Sequence, residues 1–230
     1  MTMNNGFVHI IESPNDKDLL TGRTEGKTLC EALSLSGVPH CYNLVTTPET
    51  LVDALQSRLI DALAKFNGRP IIHLSMHGNN EGVALTNGLF LKWEDLRKLL
   101  TPLTNAMDGT LLICMSSCFG SAGCRMVMHE DADKPFWALV GNSGEVNWSD
   151  ATVAYITFYH LFFKTFPIEE CVNRMILASG DSGFTVLFGY ETKRNWEQYA
   201  ANERNLLAEA IRAYSAKKGG LLGELLPSHD

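Results

Sequence analysis

The stretches PIIHLSMHG (residues 70–78) and TLLICMSSCFG (residues 110–120) decide how this chain folds. Each holds an almost unbroken apolar run, the pattern of a strand whose two faces are both covered by helices, and each then breaks into small and polar residues. Working outward, residues 7–12, 41–45, 136–140 and 184–188 read as further short strands. Residues 83–85 and 89–91 flank Asn87-Gly88, a turn that closes a β-hairpin just after the third strand. Helices are expected between these runs. After a polar loop, one covers residues 28–35 and stops at Gly37-Val38-Pro39. A second starts at Thr47-Pro48-Glu49 and continues to Asn67-Gly68, with Val52, Leu55, Leu59, Ala62 and Phe66 on one face. Others cover residues 93–103, a long apolar segment capped by Ser149 and ending at Lys164, residues 168–178 and residues 195–217.

Strand and helix alternate throughout. That order implies right-handed crossovers and a three-layer α/β/α sandwich, with a mostly parallel six-stranded sheet and the small β-hairpin as an insertion. No repeat, low-complexity tract or linker interrupts it, so residues 1–230 read as a single domain. In such sheets the chemistry gathers at the carboxyl ends of the strands.

Composition excludes several functions. A net charge of -7 without clustered Lys or Arg argues against nucleic acid as a direct partner, since phosphate binding needs a basic surface. The opening MTMNNGFVHIIESPNDKD has no cationic segment and only a five-residue apolar run, so neither export nor a membrane span is expected. Cys30, Cys41, Cys114, Cys118, Cys124 and Cys171 lack the spacing of a disulfide framework and suit a reducing cytoplasm.

The third strand ends in Ser75-Met76-His77-Gly78 and the fourth in Ser116-Ser117-Cys118-Phe119-Gly120-Ser121. Neighbouring strands would bring His77 and Cys118 together on the rim although 41 positions separate them. Peptide hydrolysis needs a nucleophile, an acid for the departing amine and donors for the oxyanion. A thiolate supplies the first and an imidazole the second, while the amides of Gly78 and Cys118 could supply the third. The opposing consideration is that cysteine is among the most buried residue types and a strand histidine is commonly a hydrogen-bonded core group. His73 and Cys114, in mid-strand, are assigned to the core on that basis.

Other constellations are weaker. The loop from Gly22 to Thr28 resembles a phosphate loop, but three residues separate its glycines where four are required, so a nucleotide-binding switch is the least favoured reading. Cys118, Cys124 and His129 lack the close pairing of a zinc site, and no metal or cofactor is expected. Asp150, at a helix start beside the rim, could read a basic substrate side chain or simply favour the helix dipole.

His77-Gly78, the strand ending at Cys118, and the segment from Ala138 through Trp148-Ser149-Asp150 to Phe158-Tyr159 together resemble the CHAT group of caspase-like peptidases, with separases and caspases as more distant relatives. The resemblance follows the order of elements from the first strand to the sixth. It implies a caspase-like fold, a cysteine endopeptidase acting on a protein or peptide substrate, Cys118 as nucleophile, His77 as acid and base, Gly78 and Cys118 amides as the oxyanion donors, and no cofactor. In separase-like relatives an acid after the Trp motif reads a basic side chain before the scissile bond, which points to Asp150. In caspases an Arg of the first rim loop reads an acidic one, which points to Arg23. The two oppose each other and leave the preference open, with a lean to basic or small side chains. Ser116 stands two before the nucleophile, where relatives often carry an acid or amide. Such domains commonly act beside sensor domains for which this chain has no room, so control by a separate regulatory protein is expected. The alternative is a caspase-like module that binds protein without catalysis, its His77 and Cys118 buried or turned apart.

Overall fold

The computed structural model describes residues 6–224, with side chains described to Ser215. The expected α/β architecture is present. Its central sheet runs β2 (His40–Leu44), β1 (Gly6–Ser13), β3 (Arg69–Asn79), β6 (Leu112–Ser116), β7 (Ala138–Asn142), β8 (Phe184–Phe188). The first five are parallel and β8 is antiparallel to β7. The hairpin β4 (Gly82–Ala84) and β5 (Phe90–Lys92) is joined antiparallel to the far end of β3.

Alternate residues of the strands feed two separate cores, which is why the runs are apolar throughout. Phe7, Ile11, Ile72, Leu74, Ile113, Met115 and Leu139 face one core, filled from the helices by Leu51, Leu59 and Leu96. Val8, Ile10, Ile71, Leu112, Cys114, Ala138 and Val140 face the other, against Leu29, Tyr155, Phe158, Tyr159 and Met175. The first helical layer is α3 (Pro48–Leu55), α4 (Ser57–Phe66) and α5 (Trp93–Ala106); the second is α2 (Glu25–Leu35), α6 (Trp148–Phe162) and α7 (Ile168–Ser179). His73 and Cys114 are fully buried, as core residues.

Three local expectations are corrected. The polar loop after β1 contains a short helix, α1 (Asp16–Thr21), whose N-cap Asn15 accepts from the Asp18 amide; an Asn followed by acids in the first turn is a cap that stabilises even one and a half turns. The single helix from Pro48 is broken at Gln56 (φ -115°, ψ -87°), yet both halves keep their apolar residues on the same core, so the sequence pattern hides the break. Ser149 is not the cap of α6. Asn147 holds that position, and the Ser149 hydroxyl bonds the Asp150 carboxylate instead.

Residues up to Thr192 form one compact unit and those from Lys193 a second. The second consists of the main part of α8 (Gly189–Glu224), which begins six residues before the expected start at residue 195. Along it Tyr199, Leu206, Leu207, Ile211 and Tyr214 are exposed. Residues 1–5 and 225–230, part of the expected single domain, lie outside the described residues.

The buried His73 ring is held at one nitrogen only: Nδ1 bonds the Tyr159 hydroxyl at 2.8 Å, while Nε2 has no hydrogen-bond partner among the described residues. Tyr159→Phe would strip the ring of its remaining bond, and urea denaturation should show a loss of about 1–3 kcal/mol.

Candidate functional site

At the carboxyl edge of the sheet, where β3 and β6 end beside the start of α6, lies a cavity of about 320 Å³. His77, Cys118, Arg23, Ser116, Ser117 and Trp148 are among its lining residues. Ser75 and Ser116 are paired in register on β3 and β6. Each stands two residues before a candidate catalytic group, so strand pairing alone brings His77 and Cys118 to one place.

His77 is the residue at which β3 leaves the parallel sheet and begins pairing with the hairpin, opposite Ala84. Its side chain is 41% exposed. The ring meets Trp148 edge-on, with centroids 5.4 Å apart. Nε2 lies 2.9 Å from the Asn15 amide nitrogen and 3.3 Å from Asp18 Oδ2. A ring protonated on Nδ1 accepts there from Asn15, and a ring protonated on Nε2 donates there to Asp18 and leaves Nδ1 open. Neither residue was a candidate in the sequence, because their loop was read as structureless. The Asn15 cap followed by Asp18 was the available signal.

Cys118 is partly exposed. Its thiol donates toward the Val146 carbonyl at 3.7 Å and receives the Val146 amide at 3.5 Å. No hydrogen bond among the described residues joins it to the His77 ring. The next residue, Phe119, has left-handed backbone (φ 55°), which is costly for a side chain with a Cβ, and its amide is anchored by the Gly144 carbonyl at 2.7 Å. That turn swings the chain from β6 into a 3-10 helix, Gly120–Val127, and leaves the thiol at the rim. Gly78 is packed against this segment: a methyl group there would stand 3.0 Å from the Cys118 carbonyl oxygen. The His-Gly pair therefore fits because the second residue has no side chain.

Behind the cavity sits an acid that sequence reasoning left out. The fully buried Glu25 carboxylate accepts from Ser75 Oγ at 2.7 Å and Ser116 Oγ at 2.9 Å, and lies 3.9 Å from His73 Nε2. Ser116 thus lines the cavity with its hydroxyl turned to Glu25. A second carboxylate, Glu12, accepts from the Gly26 amide at 2.8 Å and the Tyr42 hydroxyl at 2.7 Å. A Cβ on Gly26 would come within 2.8 Å of that carboxylate. The phosphate-like glycine is therefore a place for Glu12, and the helix start that a phosphate would need is filled by an acid of the chain itself.

Arg23 lines the cavity and is exposed, whereas Asp150 is not among the lining residues: its carboxylate is bonded by Asn147 and Ser149, which are. No cluster of three or more metal-ligating side chains occurs among the described residues. No helix among them is long and apolar enough to cross a membrane.

No protein-family model matches this chain, and no curated protein sequence matches it. Solved structures do. The arginine-specific cysteine proteinase gingipain R (RgpB) is similar with 12% identity and a TM-score of 0.49, over 81% of this chain and 46% of that one. A complex of Porphyromonas gingivalis RgpB pro- and mature domains gives 13% and 0.47, over 81% and 47%. The chain spans about half the length of these proteins. At that distance the chemistry of the site rests on its own residues: an α/β domain with an imidazole and a thiol on one cavity wall.

Burial separates the cysteines. It pushes the thiols of Cys30, Cys41 and Cys171 up to about 11 and that of Cys114 to about 12, and raises that of Cys124. Those groups stay protonated and slow at neutral pH. Iodoacetamide at pH 7.5 should label Cys118 first, read by peptide mass mapping; modification of Cys30 or Cys41 ahead of it would contradict this accounting.

Burial also raises the Glu12 carboxyl above its ordinary value near 4.5, against the Gly26 amide and Tyr42 hydroxyl that favour the charged form; nearby Glu25 adds to the rise and His73 opposes it. The folded state then holds this proton more tightly than the unfolded chain, so the associated stability is complete below the unfolded value and lost as pH climbs through the folded one. Glu12→Gln cannot lose that proton. The stability of the variant relative to the wild type should rise with pH across the weakly acidic range, measured by urea titration at each pH.

Proposed function

We propose that this chain is a cysteine endopeptidase of the caspase-like, CHAT-type group, acting in the cytoplasm through Cys118 and His77. The observation that carries the reading is the shared cavity: two residues, His77 of β3 as proton carrier and Cys118 in the turn after β6 as nucleophile, both line one open pocket beside an edge-on tryptophan.

In the reaction, the Cys118 thiol passes its proton to His77 as its sulfur attacks the peptide carbonyl carbon, and the carbonyl electron pair moves to oxygen. The amides of Gly78 and Cys118 receive the oxyanion. As the C–N bond breaks, the amine leaves with the proton that His77 carries. Water then attacks the thioester, its proton passing to His77, and the acid product departs as Cys118 regains its thiol. Nε2 of His77 is held by Asn15 and Asp18, so Nδ1 is the nitrogen available for these transfers. Asp18 stabilises the imidazolium. The separation of thiol and ring in the unliganded chain suits this scheme, since catalytic hydrogen bonds tighten once substrate is bound.

The Val146 backbone on the Cys118 thiol also fits control from outside, because a substrate or a regulatory protein that shifts residues 143–147 would release the sulfur. The same contact favours a second reading, a protein-binding module in which the thiol stays capped and never reacts.

Cleavage of a pooled peptide library separates the two. Cys118→Ala should lower turnover by about three orders of magnitude or more, and His77→Ala by about two or more. Asp18→Asn should cost less than either. Undiminished cleavage in Cys118→Ala would end the peptidase reading; an inert wild type that still binds peptides would favour the module.

A further inference from the structure

Five large apolar residues of α8, Tyr199, Leu206, Leu207, Ile211 and Tyr214, are each more than half exposed. At about 100° per helical residue they fall in one sector of about 140°. Glu203 is the one charged residue between positions 199 and 214 that shares this sector; Arg204, Glu209 and Arg212 lie outside it. Single exposed apolar residues are ordinary, but a continuous stripe marks a contact surface. A helix with one apolar face gains most of its stability by covering that face.

The order of residues says what covers it. The stretch reads nearly alike from either end: Tyr199-Ala200 at one, Ala213-Tyr214 at the other, with Leu206-Leu207 at the centre. When two copies of a helix pair antiparallel about a two-fold axis at that centre, each residue comes level with its mirror position in the second copy. Tyr199 then meets Tyr214, Leu206 meets Leu207, and Glu203 meets the small Ala210. Ile211 alone among the five has a polar residue, Asn202, at its level. Antiparallel pairing also separates the two Glu203 carboxylates by about 10 Å along the axis. A parallel pair would set them against each other inside the stripe and align the two helix dipoles.

We propose that this stripe is the contact surface of a homodimer in which the α8 helices of two copies pair antiparallel, centred on Leu206 and Leu207. An anionic membrane is a poorer occupant, because the helix mixes Glu197, Glu203 and Glu209 with Arg204 and Arg212 where a membrane-surface helix carries a basic polar face, and the chain has a net charge of -7. A different protein would have no need of the mirrored order. The pairing does not depend on whether Cys118 cleaves peptides. Contact over about 24 Å of one helix pair is a small interface, so association in the micromolar range is expected.

Sedimentation of the full chain from about 1 to 100 µM tests it. A species of twice the 25.4 kDa chain mass should appear within that range. The Leu206→Glu/Leu207→Glu double variant should raise the dissociation constant by about tenfold or more, with helix content by circular dichroism and iodoacetamide labelling of Cys118 unchanged. Direction is read separately by oxidising a mixture of Tyr199→Cys and Tyr214→Cys chains and mapping the joined peptides by mass spectrometry. Position 199 should join to 214 in preference to a second 199, which antiparallel pairing holds about 22 Å away along the axis. A monomer throughout the range, a dimer indifferent to the double substitution, preferential joining of like positions, or a monomer that sediments with phosphatidylserine vesicles overturns the inference.

Discussion

The site depends on a buried carboxylate. Glu25 enters from the first turn of α2 and takes one hydroxyl from each of the two central strands, Ser75 of β3 and Ser116 of β6. A buried acid without partners in that place would be strongly disfavoured, and three features offset the cost: two hydroxyl donors, the amino end of a helix, and the nearby His73 ring. Because each serine is two residues from His77 or Cys118, a shift in this clamp moves both ends of the candidate dyad together. Glu12 repeats the device one strand over, tying β1 to the Gly26 amide and to Tyr42 of β2. Two acids thus fasten one helix start to four strand ends.

Past the clamp the chain is shaped by departures from regular structure. β3 runs beyond its parallel neighbours and turns its last residues to the hairpin, so His77 stands at a junction where one flank of the strand is open. β6 stops at Ser116 and the left-handed Phe119 redirects it at once. The strained turn is held by Gly144, in the same segment whose Val146 backbone brackets the Cys118 thiol. The two halves of the cavity therefore differ in kind. His77 has side-chain partners that suit either tautomer of its ring, and the hydrogen-bond partners of Cys118 among the described residues are main-chain groups.

Much of the frame was legible from the chain itself. Apolar runs such as residues 70–76 and 110–115 are long enough, and free enough of alternation, to mark strands buried on both faces; Asn87-Gly88 marks a hairpin; and small residues after each central run mark the rim. The break at Gln56 and the cap at Asn147 were not legible, since in both places the competing choices leave the same apolar residues on the same core. The partners of His77 were missed for a related reason. Asn15 and Asp18 lie 62 and 59 positions away, and nothing local to a polar loop states which strand it will fold against.

The sequence by itself determined the layer order, the two cores and the place of the rim where His77 and Cys118 meet, because these follow from which residues avoid water and from where apolar runs end. Tertiary structure alone decided which acid faces which group. Asp150, conspicuous in the sequence, is drawn to Asn147 and Ser149, while Glu25, unremarked there, holds the rim, and Arg23 lines the cavity without an ion pair among the described residues. Charge types are written in the chain, but a carboxylate's partners are set by contacts between segments far apart in sequence, and those distances exist only once the sheet has assembled.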